Sequence, residues 1–209
     1  MKHSFSCLIY YFTNIALPFL ETQRRPPVDL AFALSATSAQ SRRTFQLMRD
    51  VINNVIADYG TRDIRYCFIL YGSDASTKYS FTSDRVDPDW LQNFVNFVPL
   101  STNPPSSPHV ALEEASKAFQ GRGVRPNASK VLVVMTDMKG DSVEKEIEAA
   151  AKPLTNMKVK VIAVAIGGAA DPDEMVKVTR DNDNVIIASV DADTKSLTKT
   201  LMRKVYKPG

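Results

Sequence analysis

Apolar residues fall along this chain in two alternating rhythms. Val28 to Leu34 is a nearly unbroken apolar run that ends at small polar residues, which predicts a strand buried on both faces. From Ser41 the spacing changes. Phe45, Met48, Val51, Ile52, Val55, Ile56 and Tyr59 recur every three or four residues, while Arg49, Asp50, Asn53 and Asn54 take the other side. That period predicts an amphipathic helix, stopped by Gly60.

The alternation then repeats. Ile64 to Tyr71 is a second β-branched and aromatic run, and Gly72-Ser73-Asp74 turns it into the alternating stretch Ser76 to Phe81, predicting a hairpin to an antiparallel edge strand. Helices are predicted over Pro88 to Phe97 and Pro108 to Phe119, with a Pro/Ser-rich loop between them. The strand Val131 to Met135 leads to a helix over Ser142 to Leu154 that turns Val143, Ile147, Ala150, Ala151 and Leu154 inward. Val159 to Ile166 is a further strand. Asp171-Pro172-Asp173-Glu174 opens a helix with N-cap, N1 proline and acidic first turn in place. Val185 to Ala188 is the last strand, and Asp193 caps a final helix whose stripe is Leu197, Leu201 and Val205.

Strands separated by helix-length segments imply right-handed crossovers. The expected fold class is α/β: a doubly wound, mostly parallel sheet with one antiparallel edge strand and helices on both faces. One domain over residues 27–207 accounts for the pattern, preceded by an extension over residues 1–26.

That extension carries Lys2 and His3 before Leu8-Ile9-Tyr10-Tyr11-Phe12, which Thr13-Asn14 interrupts before Ile15-Ala16-Leu17. It is too short and broken to span a bilayer, so no transmembrane segment is expected. It reads as a signal peptide without a clear small-x-small cleavage site. The sequon Asn127-Ala128-Ser129, in a polar loop, adds a candidate N-glycosylation site at Asn127. A secreted or extracellular-matrix location is therefore expected, with the cytoplasm as the alternative. The two cysteines, Cys7 and Cys67, form no framework, and Cys67 lies in an apolar run where an unpaired buried thiol is expected.

Composition narrows the function mainly by exclusion. The 26 basic and 23 acidic residues are interspersed, without the one-sign block of a nucleic-acid-binding arm. Ligands of open parallel sheets bind beyond the carboxyl ends of the strands, so Ser35 to Gln40, Ser101 to His109, Asp137 to Ser142 and Gly167 to Asp171 are the loops that matter. Ser35-Ala36-Thr37-Ser38-Ala39 lacks the glycines that a pyrophosphate requires, and no P-loop is present. The 2 histidines are His3 and a surface-placed His109, which leaves a serine–histidine mechanism unsupported. Asp181-Asn182-Asp183-Asn184 and Asp191-Ala192-Asp193 lack the spacing of a calcium loop and read as turns and caps.

The same loops carry a family resemblance. Val28 to Leu34 followed by Ser35 to Ala39 resembles the first strand and D-x-S-x-S loop of von Willebrand factor type A domains. Lys130 to Asp137 resembles that family's strand ending in Thr-Asp, and Val161 to Gly167 its later strand-to-loop segment. The resemblance covers Pro27 to Val205. It implies a site in which the D-x-S-x-S loop, a threonine and an aspartate hold one divalent ion that a partner's carboxylate completes.

Position by position, the set is degenerate. The first aspartate is Ser35, the first serine is Thr37, the second serine is Ala39, and the threonine falls near Pro108. Asp137 and the Thr37 hydroxyl remain competent, with Ser35 as a third oxygen, and Ser106, Ser107 or Thr102 as substitutes if the loop is shifted. Mg²⁺ wants hard oxygen ligands, so losing a carboxylate removes much of the attraction. No cofactor is expected, and binding of Mg²⁺ or Ca²⁺ should be weak if it occurs. Asp137 is either a remnant ligand or an acceptor for neighbouring loop amides, with Ser35 and Thr37 then capping the following helix or turn.

The expectation is a non-enzymatic protein-binding module of matrix or adhesion, meeting collagen or another matrix protein through Ser35, Thr37, Ala39, Ser107, Pro108 and Asp137. The alternatives are an intracellular scaffold A domain in a multiprotein assembly and, from another class, a nucleotide-binding enzyme.

Overall fold

A computed structural model describes residues 25–37, 41–82, 84, 86–100, 105–137 and 142–207. The strands are β1 (Val28–Ser35), β2 (Ile64–Tyr71), β3 (Ala75–Tyr79), β4 (Ser129–Thr136), β5 (Lys160–Ile166) and β6 (Val185–Ala188). The helices are α1 (Arg42–Tyr59), α2 (Pro88–Phe97), α3 (Pro108–Phe119), α4 (Glu144–Asn156), α5 (Pro172–Thr179) and α6 (Thr194–Tyr206). They build a six-stranded sheet in the order β3-β2-β1-β4-β5-β6. Only the β2–β3 pairing is antiparallel.

Every residue of β1 is buried, which explains its lack of period-two patterning. Its alternate side chains feed two different cores. Leu30, Phe32 and Leu34 pack in one layer with α1, α2 and α6, while Ala31 and Ala33 join α3, α4 and α5 on the opposite face. The second layer is rich in small residues, Ala111 and Ala115 on α3 joining Ala31 and Ala33 of β1, and small side chains let a helix lie close to a sheet. Gly60 ends α1 as the spacing requires: its φ is +68° and its N–H reaches the Ile56 carbonyl at 2.8 Å.

The structure corrects three local expectations. The edge strand ends at Tyr79; Phe81 leaves the ladder and packs on Phe119, ring centroids 5.1 Å apart. Gly123 lies so close to the Phe81 carbonyl that an added Cβ would stand 2.1 Å from its oxygen, and only glycine fits. Val143 does not face inward: it is the N-cap of α4 and 61% exposed, with its N–H donating to the Glu146 carboxylate at 3.0 Å. His109 is only partly exposed, seated at the α3–α4 junction rather than standing free on the surface.

Two polar ties fasten the sheet, one at its amino pole and one at an edge. At the amino ends of β1 and β2, the fully buried Asp29 accepts from Arg125 Nε at 2.8 Å and from the Arg125 amide at 2.6 Å. Arg125 Nη2 also donates to the Val28 carbonyl at 2.6 Å and the Asp63 carbonyl at 3.2 Å. At the β3 edge, Glu114 of α3 accepts from the Thr77 amide at 3.1 Å and its hydroxyl at 2.8 Å, covering an unpaired strand N–H.

The Glu114 tie has a pH signature. Burial alone would raise its pKa, but the Thr77 hydroxyl, the Lys117 ammonium and the Thr77 amide outweigh that and hold the carboxyl below its ordinary value. Its stabilisation is therefore complete above the unfolded pKa and is lost as pH falls through the lower folded one. Glu114→Gln is expected to cost about 1 kcal/mol at neutral pH, and urea titrations at descending pH should find the two proteins converging below about pH 4. A deficit unchanged across that range would argue against the ionic tie.

On the other face an aromatic ladder runs outward from the core. Phe68 stacks on Phe94 at 6.1 Å, Phe94 on Trp90 at 5.8 Å, and Tyr79 tilts against both Phe94 and Trp90. Trp90 is half exposed, and its amide is capped by Asp87 at 3.0 Å.

Candidate ligand-binding crevice

The chain passes from β1 to β2 on one side and meets β4 on the other, so the crevice beyond the carboxyl ends of β1 and β4 is the topological switch point of the sheet. Around it lie Ser35, Ala36 and Thr37 after β1, Asp137 after β4, and Ser106, Ser107 and Pro108 before α3. All of them are buried. Ala39 and Thr102 lie outside the described residues, as do Cys7, His3 and the apolar amino-terminal stretch.

The serine at the strand end is already engaged. Ser35 Oγ lies 3.0 Å from Ser106 Oγ, a buried hydroxyl pair that fastens the end of β1 to the loop entering α3. That loop is also held by the Ser107 amide, which donates to the Gly72 carbonyl at 2.9 Å. Ser35 therefore does not cap the following helix. The N-cap position of α1 is Ser41, whose own side chain makes no capping bond, and no acidic residue sits in the first turn.

Asp137 supplies that function from another element. Its carboxylate accepts from the Ser41 amide and the Thr44 hydroxyl, placing negative charge at the positive end of α1. Burial dominates these bonds and raises its pKa above the ordinary aspartate value. One oxygen, Oδ1, is buried with no partner among the described residues. The deeply buried Tyr71 hydroxyl donates to the Met135 carbonyl at 3.3 Å, and burial pushes its pKa up, with Glu174 and Asp137 adding to the rise.

These side chains define what a cation would meet. Among the described residues no three His, Cys, Asp or Glu side chains come together. The crevice offers the Asp137 carboxylate and the hydroxyls of Ser35 and Thr37, with that of Ser35 turned toward Ser106. Among the described residues Asp137 is the one carboxylate at these strand ends, with Glu174 of α5 acting on the same Tyr71 hydroxyl. A set of neutral hydroxyls without the motif's first aspartate fits a tightly held Mg²⁺ poorly, since that ion gives up its water reluctantly.

Nor, among the described residues, does the one serine–histidine contact form a nucleophile with its base in place. His109 Nδ1 lies 2.8 Å from Ser142 Oγ, but the Glu146 carboxylate, at 3.7 Å, faces the same ring nitrogen, whereas a triad puts its acid on the opposite one. The His109 side chain is 23% exposed and packs at the α3–α4 junction. The Ser142 contact was not foreseeable from spacing, since 33 residues separate the pair. Cys67 is fully buried and burial pushes its thiol up to about 12, so it stays protonated and inert. Among the described residues no helix is long and apolar enough to cross a membrane.

A doubly wound domain with a polar crevice at its switch point is a ligand-binding class, and comparison with known proteins narrows it. Residues 29–203 match the von Willebrand factor type A domain, and the chain belongs to that family. It is 24% identical to matrilin-1 of Gallus gallus over 149 residues, 69% of this chain and 30% of that protein. It is 22% identical to the collagen alpha-6(VI) chain of Mus musculus over 159 residues, 75% of this chain and 7% of that one. The chain thus spans less than a third of either relative. Among solved structures, proximal thread matrix protein 1 from the mussel byssus superposes with a TM-score of 0.71 at 17% identity, covering 87% of this chain and 46% of that one. The same mussel protein is known with a zinc-occupied MIDAS motif.

Proposed function

We propose that this domain is a non-enzymatic protein-binding module of the extracellular matrix or of cell adhesion, which meets its partner through the crevice loops without a tightly bound metal. The observation that carries the second half is the Ser35–Ser106 hydroxyl pair, 3.0 Å apart, where family members with an intact motif have an aspartate. The likeness to matrilin-1 and a collagen VI chain supports the first half, and a collagen or another matrix protein is the partner class. A groove of about 520 Å³ at the start of α1 and α6, lined in part by Arg43, Gln46, Asp50 and Asp191, offers mixed-charge surface for such a contact.

Asn127 suits this reading. It is exposed, in a turn just before the amino end of β4, at the pole of the sheet opposite the crevice. A glycan there would mark secretion and leave the crevice loops clear.

Binding to immobilised collagens and matrix proteins, measured by surface plasmon resonance, is expected to be unchanged by a chelator and by added Mg²⁺. Abolition of binding by chelation would sink the metal-independent reading. Expression in secretory cells is expected to add a glycosidase-sensitive mass that Asn127→Gln removes.

A further inference from the structure

A broad, half-open cavity lies at the opposite pole, away from the crevice. It holds about 540 Å³ among the carboxyl ends of α4, α5 and α6 and the amino end of β5, and is open to solvent. Four cations line it, Lys158, Lys160, Arg180 and Lys207, against one acid, Asp181. That acid is occupied locally, accepting from the Asp183 amide and the Asn184 side chain at 2.9 Å each.

Two of the cations hold an unusual backbone. Among the described residues, Lys158 (φ +57°) and Arg180 (φ +59°) are the non-glycine residues with positive φ. Each follows the end of a helix, α4 or α5, at a place where glycine ordinarily spares the cost of that conformation. Both side chains border the same cavity. The coincidence argues that the cations are kept for what they do there rather than for backbone fit.

The donors are also oriented. Arg180 Nη1 donates to Thr155 Oγ1 at 3.3 Å, which steadies the guanidinium at the rim. Lys160 Nζ donates to the Lys204 and Lys207 carbonyls at 2.7 and 2.9 Å, leaving a third N–H without a partner among the described residues. Burial first, and Lys207 next, lower the Lys160 pKa, with Asp181 acting in the opposite sense, so the ammonium sits among cations that one local acid offsets only in part.

We propose that this cavity is a binding site for a sulfate or phosphate ester group, held by the Arg180 fork and the ammonium groups of Lys158 and Lys160. Tetrahedral oxyanions accept several charge-assisted hydrogen bonds, and a planar guanidinium matches two of their oxygens at once. The volume admits a sugar ring carrying the ester as well as the oxyanion itself. The site stands independently of the crevice and of the partner-binding reading.

The test is a titration of the ¹⁵N-labelled domain by NMR with sodium sulfate, sodium phosphate, N-acetylglucosamine 6-sulfate and glucose 6-phosphate, each against sodium chloride at matched ionic strength. Saturable shifts confined to residues 155–160 and 179–184 are expected. Tighter binding by one sugar ester than the other identifies the natural source. Arg180→Gly and Lys158→Gly are each expected to weaken binding roughly tenfold or more. Their melting temperatures in chloride should be unchanged or higher, because glycine accepts positive φ freely.

If the cations serve only to neutralise helix carboxyl ends, the same glycine variants keep oxyanion affinity or lose melting temperature, and the proposal fails. Lys158→Gln, which keeps the length of an exposed side chain but removes its charge, is a further variant with the same expected weakening. Non-saturating shifts, shifts equal to those in chloride, or binding of the inorganic ions without either sugar ester would also overturn it.

Discussion

Arg125→Ala is expected to lower the free energy of unfolding by about 3–5 kcal/mol, the largest loss from any single polar truncation in this domain. Asp29 is wholly removed from solvent, and both of its oxygens are satisfied by Arg125, one by the side chain and one by the amide. Truncation removes the guanidinium and leaves a charged carboxylate in the interior with a single backbone donor. The Val28 and Asp63 carbonyls lose their donor in the same step, so the loop before β4 comes away from the starts of β1 and β2. Urea denaturation of wild type, Arg125→Ala and Asp29→Asn measures this. Asp29→Asn should cost less, because it removes the charge that Arg125→Ala strands. A loss in Arg125→Ala of less than about 1 kcal/mol, the range of an exposed pair, would show that the carboxylate finds water or another donor.

Ser35→Asp combined with Ala39→Ser is expected to turn the crevice into a metal-dependent one. Ser35 is fully buried at the end of β1, beside β4, which Asp137 directly follows, so a second carboxylate there adds like charge to a confined space. In chelator the double variant should lose about 3 kcal/mol of stability, the scale of an uncompensated buried charge. A divalent ion reverses the sign of that interaction. At a hundredfold excess over its Kd, Mg²⁺ should return about 2.7 kcal/mol, while the wild-type melting temperature barely responds. Calorimetric titration of both proteins with Mg²⁺ and Mn²⁺ gives the affinities directly. Equal affinities would mean that the loss of the aspartate is not what sets metal binding here.

The fold is legible in the sequence because each element announces itself locally. β1, β2, β4 and β5 are continuous apolar runs, since a parallel strand covered on both faces has no polar side to show. The Asp171-Pro172 and Asp193 helix starts fall where their caps stand. What stayed hidden involves partners far apart in the chain. Asp29 reads as a polar interruption in an apolar run until Arg125, 96 residues later, is folded against it. Val143 continues the inward stripe of α4 on paper, but the helix begins one residue after it, and a capping residue points to solvent. The crevice was half legible: the family's strand ends located it, while the Ser35–Ser106 pair and the delivery of Asp137 to the start of α1 arise only from the crossing of three loops.

The aromatic ladder also gives the molecule a built-in optical reporter. Trp90 is its only tryptophan, half exposed and stacked on Phe94 beside Tyr79. Its emission therefore follows the seating of α2 against the β3 edge, and detachment of that helix should shift the spectrum to the red before the interior opens. Ligands at either pole of the sheet lie away from the indole, so intrinsic fluorescence serves as a clean meter of folding and a silent one for binding.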